Sequence, residues 1–456
     1  MKTGTMHIRS AMQQLPKVIG LLVTLFTLDL LTITAPAQSA DALVDKLVQK
    51  GILSVKEANE LKAEADKDFS KTYQTKSGLP DWVTSFRFSG DIRGRIDQFI
   101  AQNPDGDDRT RFRYRLRLGA TATLYDYFEA SLRLTSSDPV ESFGGDPISG
   151  NTTFRDNGSK KFVWIDAAYG KWVYLHNPSF NGFITVGKMD NAFTLSEMVY
   201  DPDYTPEGFM STLSYSASDR HKLKAVVAGF VLDELASNAN DPNLLGGQLL
   251  WEAGWTPKVS STLGLALMSI QNRDHLKNTD VPNNNRGNTR NVDGAPVYGF
   301  NPLIADAFLT YNLESAPGYR GAFPVRVGGE FMYNPAAPSS ADNYAWMPGV
   351  TFGKAGKKGL WEFSYRYKWL GANSWWEELT DSDFGAYYEG GSPNDDSGEG
   401  FSAGTNVRGH AFRAAYSPSD GLILSITYYH TELIQPVPAD SESGMGLIQI
   451  DAVWRF

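Results

Sequence analysis

Arg109-Thr110-Arg111-Phe112-Arg113-Tyr114-Arg115-Leu116-Arg117-Leu118 is the stretch that decides the fold. Its period is two. Arg109, Arg111, Arg113, Arg115 and Arg117 hold one set of alternate positions. Phe112, Tyr114, Leu116 and Leu118 hold the other, which continues through Ala120 and Ala122. Successive side chains of a strand point to opposite faces, so this strand has a cationic face and an apolar face. The run before it alternates in the same way: Phe86, Phe88, Gly90, Ile92, Gly94 and Ile96 against Arg87, Ser89, Asp91, Arg93, Arg95 and Asp97. Such runs are longer than the 5–6 residues typical of soluble sheets and match the ~9–11 residues of a tilted membrane-crossing strand.

Working outward, sixteen candidate strands are expected, centred on 84–99, 109–124, 127–136, 161–173, 182–188, 208–216, 222–232, 245–255, 260–271, 304–313, 322–333, 343–353, 359–370, 405–416, 422–433 and 447–456. Fourteen or eighteen remain open, because parity is muddled in the fourth, twelfth and fourteenth; Arg408 and Arg413 fall on opposite faces. Connections after even-numbered strands are short, as in Tyr125-Asp126-Tyr127 and Thr256-Pro257-Lys258-Val259. Those after most odd-numbered strands are long and polar: 137–160, 189–207, 272–303, 371–404 and 434–446. Short turns on one rim and long loops on the other, with an even strand count, mark an all-β antiparallel barrel in a bacterial outer membrane. Closure is what lets a sheet cross lipid, because it leaves no unpaired edge. Outward aromatics fit the same reading: Trp361, Phe363, Tyr365, Tyr367 and Trp369 share one face of the thirteenth strand, and Trp82, Tyr125, Tyr127 and Trp255 lie near short turns.

Composition excludes other classes. The chain has 456 residues, 42 Lys+Arg against 52 Asp+Glu, a formal net charge of −10 and no Cys. Without Cys there is neither a disulfide scaffold nor a thiolate metal site, and the acidic balance argues against a nucleic-acid partner. The N-terminus reads as an address. Lys2, His7, Arg9 and Lys17 precede an apolar run, Val18 to Ile33, and Ala35-Pro36-Ala37 follows. Residues 1–37 are therefore expected to be a signal peptide cleaved after Ala37, with Ala40 the second choice. Residues 38–80 are expected to form a periplasmic helical segment and linker: Leu43, Leu47 and Val48 recur at helical spacing, and Ser54-Val55-Lys56-Glu57 is a capping box. The barrel is assigned to residues 81–456.

The inward face should carry the function. A sixteen-strand barrel is wide enough for an aqueous channel. Arg87, Arg93, Arg95, Arg109, Arg111, Arg113, Arg115, Arg117 and Arg133 share the inward parity and are the expected pore-lining residues. The opposite parity would place five arginines of one strand in lipid, at roughly 2–4 kcal/mol each near the midplane. Two readings of the wall stay open: a lattice of salt bridges with Asp91, Asp97 and Glu129 that stiffens the barrel, or an electropositive surface that attracts anions. The third long loop, 189–207, carries Asp190, Glu197, Asp201, Asp203 and Glu207 and no Lys or Arg. These are candidates for a constriction loop; a solvated surface loop and a Ca²⁺ site on Asp201, Asp203 and Glu207 are the alternatives.

Two stretches resemble bacterial putative porins. One is Asp41-Ala42-Leu43-Val44-Asp45-Lys46-Leu47-Val48-Gln49-Lys50-Gly51-Ile52-Leu53-Ser54, followed by Lys56-Glu57-Ala58. The other is Gly187-Lys188-Met189-Asp190-Asn191-Ala192-Phe193, with Asp201-Pro202-Asp203 and Pro206-Glu207-Gly208 after it. The resemblance implies an outer-membrane diffusion channel for small polar solutes, to which the arginine face adds a modest preference for anions. In barrels of general porin type the third loop folds inward, and sixteen-strand porins form trimers, so an inward loop and a homotrimer are implied by analogy. Resemblance to outer-membrane proteins also makes Phe456, on an alternating last strand, the signal read by the assembly machinery. No substrate residue, cofactor or metal is carried over.

An enzyme is not expected. The six histidines, His7, His176, His221, His275, His410 and His430, are scattered among the signal, turns, a loop and two strands. No nucleophile elbow or phosphate loop is present. A plugged, non-conducting barrel with a binding or structural role is the remaining alternative.

Overall fold

The computed structural model describes residues 79–101, 108–140, 143–236, 239–283, 286–385, 404–436 and 442–456. The expected signal peptide, the helical segment up to residue 78 and residues 386–403 of the long loop 371–404 lie outside these residues.

The main sheet has seventeen members. One is the two-residue strand Thr152–Thr153, which pairs with β2 at Arg113 and Tyr114, beyond the end of the short β3. The other sixteen form a closed antiparallel barrel. They are β1 Val83–Ala101, β2 Arg109–Leu124, β3 Phe128–Ser136, β4 Val163–His176, β5 Phe180–Lys188, β6 Glu207–Ser218, β7 His221–Val231, β8 Asn243–Gly254, β9 Val259–Gln271, β10 Leu303–Leu313, β11 Phe323–Tyr333, β12 Tyr344–Gly353, β13 Trp361–Leu370, β14 Val407–Ser419, β15 Leu422–Leu433 and β16 Met445–Arg455. Each pairs with its sequence neighbours, and β1 pairs with β16 from Asp91↔Arg455 to Ala101↔Met445, which closes the ring. Phe456 locks the seam: its N–H donates to the Gly90 carbonyl at 3.1 Å, and the Gly90 N–H donates back at 2.8 Å. No helix among the described residues is long and apolar enough to cross a membrane.

The sixteen expected strands coincide with these sixteen, and the muddled parities have local causes. In β4 the register slips opposite Arg133 and Leu134. The extra residue is Asp166, which reaches Arg133, and it flips the face of everything after it, as a bulge does. In β12 the pairing with β13 skips Met347 and Pro348, where proline offers no N–H. In β14, Arg413 donates to Glu362 of β13 at 2.5 Å. Arg408 points the other way, donates to Glu432 of β15 at 2.7 Å and lies 5.2 Å from the Trp369 ring.

The outward face exposes a continuous series of large apolar side chains, including Phe88, Phe112, Leu132, Val186, Leu249, Leu265 and Val327. A monomer in water does not leave that much apolar surface bare; lipid covers it. Near the short turns lie Tyr125, Tyr127 and Trp255. Tyr125 and Asp126 both have positive φ, 51° and 67°, and the Tyr127 N–H donates to the Leu124 carbonyl at 3.2 Å, the mirror-image turn that a twisted two-strand hairpin favours.

Candidate functional site

The inward charges begin with strand register. Asp91, Arg93, Arg95 and Asp97 of β1 stand opposite Arg117, Arg115, Arg113 and Arg111 of β2. Two acids therefore bracket two arginines on β1, and β2 answers with four arginines. Asp91 accepts from Arg117 at 2.7 Å and from Arg115 at 2.8 Å. Asp97, fully buried, takes Arg111 at 2.9 Å and lies 3.9 Å from Arg113. Arg95 turns to β16 and donates to Asp451 at 2.7 and 3.0 Å. The Arg111 guanidinium also stacks on Phe99, 5.1 Å from its centroid. Arg133 bonds Asp166 and donates to Asp190 at 2.7 Å. Arg87 and Arg109 are exposed.

The remaining acids come from loops. Residues 189–206 cross the barrel interior and touch strands on all sides. The Lys224 ammonium (β7) donates to the Ala192 carbonyl at 2.6 Å. Gln248 (β8) exchanges two hydrogen bonds with the Thr194 backbone, at 2.8 and 2.9 Å. The Ser196 N–H and hydroxyl donate to Glu330 (β11) at 3.1 and 2.5 Å. Glu197 pairs with Arg366 (β13). Asp203 then returns to the arginine wall, accepting from Arg115 at 2.7 and 2.8 Å, with Arg117 at 3.4 Å and Arg93 at 3.6 Å.

The five acids expected on this loop therefore divide. Asp190 and Asp203 meet the arginine wall, while Glu197 meets Arg366 on the far side. Asp201 meets no arginine; it accepts backbone N–H groups of Asp203 and Ser382 at 2.8 and 3.0 Å. Glu207 corrects the expected loop boundary: it opens β6, is exposed and pairs with Lys188 of β5 at 3.1 Å. The Ca²⁺ alternative falls with this division, since Asp203 and Glu207 have different cationic partners; among the described residues no group of acids and histidines is placed to hold a metal.

Electrostatics follow the partners. Burial raises the Glu197 carboxyl, but Arg366 and Lys368 outweigh it and hold it at about 2. Burial also opposes ionisation of Asp203, and Arg115, Arg93 and Arg117 bring it below the usual carboxylate range. Asp201 goes the other way: burial, then the charges of Asp203 and Asp381, push it well up.

A second inward segment, 371–385, lies in the long loop 371–404 and carries none of the expected site residues. Its signal is Trp375-Trp376-Glu377-Glu378-Leu379, five residues that are all buried although they sit in a long loop. Trp375 Nε1 donates to the Val199 carbonyl at 2.8 Å, and the Asp381 N–H donates to the Glu197 carbonyl at 3.0 Å. The Asp201 N–H donates to the Leu379 carbonyl at 2.7 Å. Asp383 reaches the wall and accepts from Arg95 at 2.8 Å. Loop 272–302 braces this segment: Arg290 holds Glu377, and the Asn288 N–H donates to Glu377 at 2.6 Å. Burial and then repulsion from Glu377 lift Glu378 to about 8, against Arg286, Asn283 and Arg290, which lower it.

The arrangement is a barrel wall of closely paired charges, an acidic loop laid across the interior, and a second loop packed on the first. The barrel is similar to that of Pseudomonas putida OprB (10% identity, 84% of this chain and 96% of that one, TM-score 0.49). It is also similar to Salmonella typhi OmpF in complex with daunomycin (11%, 81% and 97%, TM-score 0.46) and to a triple mutant of the Rhodopseudomonas blastica porin (10%, 82% and 100%, TM-score 0.41). A search of curated protein sequences finds no match. Residues 99–297, from the end of β1 through the loop after β9, match the putative porin family, the same family that the sequence resembles.

Proposed function

We propose that this protein is an outer-membrane porin, a passive diffusion channel for small polar solutes with a modest preference for anions. The observation that carries the reading is the chord of residues 189–206. It joins an arginine wall on β1–β3 to Arg366 on β13 and leaves polar groups along a closed, lipid-facing barrel. A polar solute crossing beside this loop meets carboxylates on one side and guanidinium groups on the other. Such a transverse field orients dipolar solutes and excludes apolar ones.

The preference for anions is small because the wall is nearly neutralised. Seven arginines, 93, 95, 111, 113, 115, 117 and 133, are tied to seven aspartates, 91, 97, 166, 190, 203, 383 and 451, a balance of 7 − 7 = 0, with the exposed Arg87 outside this set. The preference should weaken with salt, as the screening length falls to ~3 Å at 1 M. The test is reversal potential in a salt gradient across a planar bilayer. Replacing Arg113, Arg115 and Arg117 together with Gln should move it toward cations. Unchanged selectivity and conductance would make these arginines structural and remove the electropositive channel.

One observation favours a plugged barrel instead: Trp375 and Glu377 are fully buried inside the ring. Single-channel recording separates the two readings, since a plugged barrel passes no steady current.

A further inference from the structure

We infer that the cavity between loop 189–206 and strands β9–β12 is a binding subsite for a small zwitterion of the α-amino-acid class, with its ammonium group on Asp306 and its carboxylate on Arg326. The inference rests on the porin reading only for how the solute arrives.

The cavity measures ≈ 230 Å³ and is lined by Thr194, Ser196, Glu197, Asp306, Arg326 and Glu330, among others. That is far more room than the roughly 10–15 Å³ one water needs. Asp306 and Glu330 face each other across β10 and β11. Glu330 is satisfied by Ser196. Asp306 is not: it is 6% exposed, and its Oδ2 has no hydrogen-bond partner. No Lys or Arg of the described residues pairs with it. A buried carboxylate with an unpartnered oxygen is an unfavourable arrangement; that oxygen lies against Gly264, so a ligand donor would meet the carboxylate from the cavity that Asp306 lines. The backbone makes room for it: a Cβ at Gly264 would lie 1.8 Å from Asp306 Oδ2.

Arg326 is the matching cation, which attracts Asp306 but forms no ion pair with it. It is exposed toward the interior, stacks on Phe308 at 4.0 Å and has no carboxylate partner among the described residues. Its neighbours on the same wall are paired, Arg366 with Glu197 and Lys368 with Asp381. Register explains why Asp306 and Arg326 attract each other without closing into an ion pair. Arg326 stands opposite Thr310, and Phe308 lies between Thr310 and Asp306 on the inward face of β10. Two opposite charges held apart in one cavity, with an aromatic ring and Met347 beside them, complement a solute that carries both charges on one short frame and a small apolar side chain.

The probes are norvaline, which has both charges, and its two halves, butylammonium and pentanoate. Binding to the full-length protein in detergent micelles is read by calorimetry at pH 7. Norvaline is expected to bind at least about tenfold tighter than either half, since each charge-assisted hydrogen bond is worth about that factor. Asp306→Asn and Arg326→Gln should each lower norvaline affinity about tenfold. Gly264→Ala, which pushes the carboxylate aside but keeps the charge, should weaken it too. Heat-modifiable gel mobility reports whether each variant is folded. Norvaline binding no tighter than the better half overturns the proposal, as does butylammonium matching norvaline, or folded variants that all bind as before. Calorimetry needs no open pore, so a barrel that binds norvaline yet passes no current would keep this site and sink the porin reading.

Discussion

The two sides of the barrel interior are built on opposite principles. On the β1–β3 side the inward face is charge against charge: Arg95, Arg113 and Arg115 are buried among Asp91, Asp97, Asp203 and Asp451. On the β7–β14 side it is apolar toward the long-loop rim. Phe230, Leu244, Met268, Ile304, Met332, Leu370 and Val407 each come from a different strand and are at most 3% exposed, packed with Met198, Val199, Tyr200 and Trp375 of the inward loops. The charged side can face water or loops alike, because its groups can be solvated wherever they are not paired. The apolar side needs the loops, since each large side chain left in water would forgo roughly 1.5–3 kcal/mol of burial. One side is a wall; the other is half of a protein core whose second half is loop.

The largest way to break this comparison is Trp375→Ala. Trp375 is fully buried and holds Val199 by its indole N–H. Its loss should destabilise loop docking by about 3–5 kcal/mol and raise single-channel conductance as segment 371–385 loosens. Unchanged thermal stability of the heat-modifiable form would show that the apolar side does not depend on this loop.

The charged side is probed by Asp203→Asn. One carboxylate serves Arg93, Arg115 and Arg117, so losing its charge should cost roughly 1.5–3 kcal/mol. The paired set would go from seven acids to six, and reversal potential should move toward anions. A shift toward cations would contradict the placement of Asp203 at the wall.

The smallest expected effect is a dependence on pH where the two sides meet the loops. Glu378, lifted to about 8 by burial and Glu377, binds a proton in the native loop that the unfolded chain releases near pH 4.5. Native protein thus holds more protons between these values. Its contribution to loop docking is complete below about 4.5 and is lost as pH rises through 8. Asp383, held at about 2 by Arg95 and Arg113 against the effect of burial, contributes above its unfolded value near 3.8 and loses that contribution as pH falls toward 2. Conductance measured from pH 5 to 9 should rise at the alkaline end in the wild type and stay flat in Glu378→Gln. Equal profiles would remove Glu378 from loop docking.

How much could be read in advance depended on the distance over which each signal acts. Strand positions were legible because alternation is a period of two residues. Even the confusing strands obeyed it once Asp166 is allowed as a bulge and Pro348 as a gap in pairing. The acid content of 189–207 was legible, but the division of Glu197 from Asp203 between opposite walls was not, because the path of a loop leaves no periodic trace. Segment 371–385 reads as part of a long polar loop, though Trp375 and Trp376 are costly to leave in water.

The sequence by itself determined an all-β barrel with sixteen crossings favoured and fourteen or eighteen left open, the shared parity of Arg113, Arg115 and Arg117, and the separation of short turns from long loops. These follow from neighbours two residues apart and from the cost of charge in lipid. Only the tertiary structure decided which acids answer those arginines. Arg95 finds Asp451 at a separation of 356 residues and Asp383 at 288, and Arg115 finds Asp203 at 88. Pairings of that range are fixed by barrel closure and by where the loops come to rest, because a guanidinium group bonds whichever carboxylate the folded chain brings within reach.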